Sequence, residues 1–203
     1  MHIPDGFLST PVTLGTIGVS VTALTYSFKK VNQTIKPEQI PLMGLLASFV
    51  FMIQLFSFPI GVGTSVHLTG ALLLSILLGP RAGFIIMAVS LLALSLLFQH
   101  GGIFSLGANL LNMGLVGCFV GYGFYRLIPG ERWSLIIAGV GSGIISAILC
   151  ALELAASNML EMSVALKTMM LIYGVTGLIE GTITLLILDF LRKIKPELLD
   201  QLS

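Results

Sequence analysis

The chain opens Met1-His2-Ile3-Pro4-Asp5-Gly6, which sets a histidine directly behind the amino terminus. An amine nitrogen on Met1, the His2 amide nitrogen and the His2 imidazole can converge on one transition-metal ion, closing fused chelate rings in a plane. Neutral imidazole is the commonest protein metal ligand, and its ordinary pKa near 6.5 leaves it available at physiological pH. A fourth nitrogen from His67 completes a tetragonal, all-nitrogen site. Such a ligand set suits Ni2+ or Cu2+, and Co2+ lies close to Ni2+ in the divalent series. Taken singly, a terminal histidine is usually solvated and a loop histidine usually caps a helix; the pair is what points to a site. Asp5 can accept a hydrogen bond from a ligating imidazole, or close a Pro4-Asp5-Gly6 turn, or do both. The third histidine, His100, sits in Gln99-His100-Gly101-Gly102, which reads as an ordinary turn.

These polar residues are out of keeping with the chain that carries them. Of 203 residues, 56% are hydrophobic and 9% charged, against about 25% charged in an ordinary soluble domain. The composition predicts an all-α, polytopic helical bundle in the cell membrane. Seven apolar runs fit spans of about 20 residues: 11–28, 40–58, 68–78, 82–98, 106–125, 134–156 and 169–191. The 68–78 run is too short to cross and predicts a tilted or partly re-entrant segment. With the N-terminus outside and the C-terminus cytoplasmic, the inner loops hold every Lys and Arg but Lys167, a strong positive-inside bias. His2, His67 and His100 then all fall on the outer side. A net charge of +1 gives no reason to expect nucleic acid as a partner. Cys118 and Cys150 lie in apolar runs and read as small core hydrophobes. The opening has no basic stretch of the kind that starts a cleavable signal peptide.

The opening MHIPDGFLS, the loop FPIGVGTSVHLTG (58–70) and the run FQHGGIFSLGANLLNMG (98–114) resemble the CbiM/NikM family, the substrate-binding S components of nickel and cobalt energy-coupling-factor transporters. The resemblance runs along most of the chain. It implies one integral-membrane domain over 1–203, a seven-helix S component whose N-terminus dips into the bundle from outside. Met1, His2 and His67 would bind one divalent ion, Ni2+ or alternatively Co2+, as the transported substrate. Loops matching 61–67, with Ser65, and 101–112 would close over it, and Asn109 and Asn112 would brace the site by hydrogen bonds. The family carries an acidic residue where this chain has His100, which puts a role there in doubt. The implied partners are a transmembrane coupling subunit, two cytoplasmic ATPase subunits and, in many cobalt-type members, a small two-helix subunit.

Other function classes fit less well. The sequence has no GxxxxGK[ST] phosphate loop, so power for uptake is expected from partners. An intramembrane metalloenzyme would need an open coordination position, and neither HExxH nor GxSxG occurs. A stand-alone carrier would show internal repeats and broken helices about a midplane site. Glu180, in the middle of the last span, is costly there and is expected to bond the backbone of a neighbouring helix. Small-residue pairs at Gly44/Ala47/Ser48, Gly117/Gly121, Gly139/Gly143 and Gly177/Gly181 allow close helix approach, either within the bundle or toward a partner.

Overall fold

The structure, a computed structural model, describes residues 2–59, 65–128 and 132–195. Among these, seven helices follow one another: α1 (Thr10–Thr34), α2 (Gln39–Leu55), α3 (Ala71–Leu78), α4 (Pro80–Phe98), α5 (Leu106–Leu127), α6 (Trp133–Ala156) and α7 (Met162–Ile194). A two-residue hairpin, β1 (Phe58–Pro59) against β2 (Ser65–Val66), lies between α2 and α3, with Phe58 opposite Val66. Four of the helices, α4 to α7, are long and apolar enough to cross a membrane by length and composition. The protein is a multi-pass membrane protein.

The spans begin and end close to the expected limits, with two informative departures. The first helix continues to Thr34 and the last begins at Met162. Hydropathy locates only the greasy middle of a helix, whereas i to i−4 hydrogen bonding carries on through the polar turns that follow. In α1, polar side chains are made tolerable locally. Thr16, Thr22 and Thr25 each donate to the carbonyl four residues back, at 2.9, 2.7 and 2.8 Å, so these three hydroxyls are satisfied within the helix. The face of α1 turned inward is small and polar, with Thr16, Ser20 and Ser27 buried. Ser20 Oγ donates to the Gly107 carbonyl at 2.7 Å. Only a glycine fits at 107, because a Cβ there would stand 2.6 Å from Ile17 N.

α3 is the short element that the sequence marks as unable to cross. Its eight residues, about 12 Å of helix, start after Gly70 (φ +74°) and stop at Gly79 (φ +80°). Ala71, Leu72, Leu73, Leu74 and Leu77 are all buried, so α3 is an apolar wedge inside the bundle. The segment that precedes it, with His67, is thereby drawn into the protein and lies against helices rather than over them.

In α5, residues Leu110–Val120 are wound as a π-helix between α-helical ends. Its glycines meet neighbours closely: a Cβ at Gly114 would lie 3.0 Å from the Phe84 ring, and one at Gly117 2.7 Å from Ala71 Cβ. α6 and α7 touch backbone to backbone. Gly139 faces Gly177 and Gly181, and Gly143 faces the Tyr173 carbonyl, positions where any side chain would strike main chain. Gly117/Gly121, Gly139/Gly143 and Gly177/Gly181 thus serve packing inside the bundle, while Gly44 faces open space. At one end of this pair, Arg132 and Arg192 both pair with Asp189. Cys118 and Cys150 are free and buried.

Candidate metal site

The first residues of the chain behave as an inserted strand. His2 and Ile3 are buried, at 4% and 0% exposure. What holds them is the segment between α4 and α5. α4 ends with Gln99 in the left-handed conformation (φ 51°), and the His100 amide donates back to the Leu94 carbonyl at 3.1 Å. This reversal throws residues 100–105 across the top of the bundle, where they meet the N-terminal segment. The Gly102 amide donates to the Ile3 carbonyl at 3.0 Å. Asn109, on the first turn of α5, completes a two-bond clamp. Its Oδ1 accepts the Ile3 amide at 2.7 Å and its Nδ2 donates to the Ile3 carbonyl at 3.1 Å. Ser105 Oγ donates to the Pro4 carbonyl at 3.0 Å.

Asp5 is committed elsewhere than expected. Its carboxylate accepts the amides of Ile103, Phe104 and Ser105 at 3.0, 2.9 and 3.1 Å. Three converging amides ahead of a helix are a better partner for an anion than a single imidazole N–H. Asp5 also closes the turn before Gly6 (φ +86°), and it supports the site by anchoring the strand rather than by touching a histidine. Gly102 has to be a glycine here, since a Cβ would overlap the Asp5 carboxylate.

Three imidazoles converge at the end of this strand. His2 and His67 are stacked, with ring centroids 4.4 Å apart and planes at 20°. His100 meets His2 edge to face, also at 4.4 Å. His100 is therefore part of the cluster, which corrects its reading as an ordinary turn; the left-handed Gln99 aims it inward. Its Nε2 is engaged with Ser57 Oγ at 2.7 Å. His67 donates through Nδ1 to the Leu68 carbonyl at 2.9 Å, which assigns its proton to Nδ1 and its lone pair to Nε2. Among the described residues, neither buried ring nitrogen of His2 has a hydrogen-bond partner. Burial holds His2 well below the usual histidine pKa, and His67 beside it lowers it further. Burial lowers His67 strongly as well, and His100 to a lesser degree. All three rings are kept neutral, the form that coordinates metal.

No three His, Cys, Asp or Glu side chains among the described residues are placed to share one ion. A full donor set drawn from this cluster needs backbone nitrogen as well as imidazole. Met1, the expected amine donor, lies outside the described residues, as do residues 60–64 of the loop leading to His67. Ser65 Oγ is buried without a partner among the described residues, and the Ser65 carbonyl accepts Tyr173 OH at 2.6 Å. Asn112 does not reach the N-terminal strand. One turn beyond Asn109, its Nδ2 donates to Glu153 Oε2 at 2.7 Å in the interior. Glu180 bonds not a neighbouring helix but the stretch ahead of α3: Oε2 accepts the Thr69 amide at 3.1 Å and Oε1 the Thr69 hydroxyl at 2.6 Å. Glu153 escaped sequence reasoning, although a carboxylate four residues from the end of an apolar span was a usable signal. Below His67 lies a cavity of about 30 Å3 lined by Thr69, Ser142, Ser146, Tyr173 and Glu180, space for about one water molecule.

Comparison with known proteins agrees with the fold. A family model described as the cobalt uptake substrate-specific transmembrane region matches residues 2–198. A probable fused nickel transport protein, LarMN, of Lactiplantibacillus plantarum is 35% identical over 97% of this chain and 66% of its own length. A putative fused nickel transport protein, NikMN, of Archaeoglobus fulgidus is 36% identical over 99% of this chain and 68% of its own. The chain thus spans about two thirds of these fused relatives. A crystal structure of a truncated transition metal transporter superimposes with a TM-score of 0.89 at 35% identity, covering 95% of this chain and 99% of that one.

Proposed function

The chain belongs to the family of cobalt uptake substrate-specific transmembrane proteins, the CbiM family, and from that premise we propose that it captures Ni2+ on the outer side of the membrane. It is a transport protein for nickel or cobalt and not an enzyme. In this reading residues 1–203 act as one substrate-binding S component. A coupling subunit in the membrane and two ATPases in the cytoplasm drive release inward. The fused nickel transport relatives, whose extra length lies outside the match to this chain, favour partner subunits of this kind.

The observation that carries the reading is the His2 imidazole, buried against His67 with both ring nitrogens unpaired among the described residues. A buried polar group without a partner is expensive, and an ion at the edge of the stacked pair, held by one ring nitrogen of His2, removes part of that cost. The His2 amide and the amine of residue 1 supply the remaining nitrogens. The family description favours Co2+, whereas the nitrogen-only donor set and the nickel relatives favour Ni2+.

Calorimetric titration of the purified protein with NiCl2 and with CoCl2 decides between them. His67→Ala and a version carrying one added residue before Met1 are each expected to weaken binding by at least about tenfold, the scale of one lost ligand-type contact. Wild-type affinity in both variants would remove the chelate model. Isotope uptake with and without the ATPase partners separates this reading from a stand-alone carrier, which needs no ATPase.

A further inference from the structure

His67 sits in a five-residue stretch, 65–69, that makes no regular secondary structure beyond Ser65 and Val66. Its ring must be held to a fraction of an ångström if it is to share an ion with His2, because poorly supported ligands lose affinity. The neighbouring sequence offers little of its own: the stretch ends at Gly70 in a left-handed turn (φ +74°). The rigidity comes from a distant helix. On α7, Tyr173 OH donates to the Ser65 carbonyl at 2.6 Å, two residues before His67. Seven residues further along α7, Glu180 accepts both the amide and the hydroxyl of Thr69, two residues after His67, at 3.1 and 2.6 Å. Positions 173, 177 and 180 share one helix face, and the 173–180 separation of roughly 10 Å matches a short extended strand laid along it. From the opposite side Gln54 on α2, fully buried, donates to the Thr69 carbonyl at 2.8 Å.

We propose that Tyr173 and Glu180 are positioning residues for the metal site, a two-point splint on α7 that fixes the backbone on either side of His67. The inference rests on the reading of His67 as a ligand. Glu180 has no need to touch the ion, since both of its oxygens are turned to Thr69. The splint also determines which part of the bundle His67 follows. α7 is locked to α6 by the Gly139–Gly177 contact, so the ligand moves with the α6–α7 pair, whereas His2 is held by α5 through Asn109.

The test is a double-mutant cycle on Ni2+ affinity. Glu180→Gln keeps size and one acceptor but removes the charge and one of the two bonds to Thr69; Tyr173→Phe removes only the hydroxyl. In the wild-type background each is expected to raise the Kd by about tenfold, the scale of one hydrogen bond to a charged group or buried carbonyl. In a His67→Ala background each is expected to change it by less than twofold. The ligand-field absorption of Ni2+ bound to Glu180→Gln should shift toward that of His67→Ala, a signature that general loss of stability does not produce. Equal losses in both backgrounds overturn the proposal, as does wild-type affinity in both single variants. If His67→Ala itself binds Ni2+ as tightly as wild type, the metal-site reading fails instead. Tyr173→Phe, which leaves the packing of the ring intact, serves should Glu180→Gln fold poorly.

Discussion

Asn109→Ala isolates how far metal affinity depends on the clamp that holds the N-terminal strand. Asn109 is 1% exposed and makes two hydrogen bonds to Ile3, at 2.7 and 3.1 Å. The Ile3 carbonyl keeps a second donor, the Gly102 amide at 3.0 Å, so on that side the loss is one net hydrogen bond, about 1 kcal/mol. The Ile3 amide has Asn109 as its partner. Orphaning a buried donor costs about 1–3 kcal/mol, and the sum is about 2–4 kcal/mol against the docked strand. The apparent Kd rises as the docked fraction falls, and about 1.4 kcal/mol is a factor of ten. Asp5 and Ser105 still tie residues 4 and 5, so only part of that loss reaches binding. The expected outcome is a Ni2+ Kd about 10–100-fold weaker, by calorimetry in detergent, with the bundle still folded. Asn109→Asp should be at least as damaging, because its second oxygen would face the Ile3 carbonyl. A Kd within threefold of wild type for Asn109→Ala would refute the reasoning that the clamp presents His2 to the ion.

Three further outcomes follow from the geometry. His100→Ala should weaken Ni2+ binding only about two- to tenfold, since it removes an edge-to-face ring contact worth about 0.5–1.5 kcal/mol while His2 and His67 remain; complete loss by calorimetry would make His100 a ligand. Gly177→Val should lower thermal stability by about 2 kcal/mol or more through collision with the Gly139 carbonyl. Gly174→Val, one turn away with nothing within 4 Å of its would-be Cβ, should be nearly neutral, and equal melting points for the two would contradict the α6–α7 contact. The metal-free protein should lose stability on acidification. Burial lowers the pKa of His2 and His67 in the folded state, so below about 6.5 the unfolded chain binds more protons, and stability falls by up to about 1.4 kcal/mol per pH unit for each histidine. Melting curves from pH 7.5 to 5.5 check this, and a His2→Ala/His67→Ala variant should flatten the dependence.

Much of this architecture is legible in the residues. Apolar runs locate all seven helices because a membrane span must be both long and greasy; their limits drift outward where polar turns prolong the hydrogen bonding, as at 29–34 and 162–168, and inward at 56–58 and 68–70, where apolar residues belong to the segment between α2 and α3. That His2 and His67 lie on the same side of the membrane follows from chain order and charge bias; that they meet is implied only by the family resemblance. What the sequence conceals is contingent on backbone direction. His100 joins the cluster because Gln99 adopts a left-handed conformation that few non-glycine residues take, and nothing in QHGG announces it. Asp5 had two chemically sensible partners, and three amides outcompete one imidazole only once the 103–105 turn exists. Asn109 and Asn112 look equivalent in GANLLNMG, yet three residues of helix point one at Ile3 and the other at Glu153. Glu180 stands out as a charge inside a span, but its partner lies 111 positions away in sequence.

The N-terminal strand also fixes the order in which the protein can become competent during synthesis. Residues 2–9 are made long before their partners: Ile3 pairs with Asn109, 106 positions later, and the Ser9 amide donates to Ser157 Oγ, 148 positions later. At about 5–20 residues per second, the first of these partners appears only after several seconds, and the second later still. Until then residues 2–5 have no groove to enter, and a His2 already translated lacks the α5 clamp. The histidine cluster thus forms late, after the helices that hold its N-terminal member have been made. A partly made copy therefore leaves its buried His2 without the neighbours that enclose it.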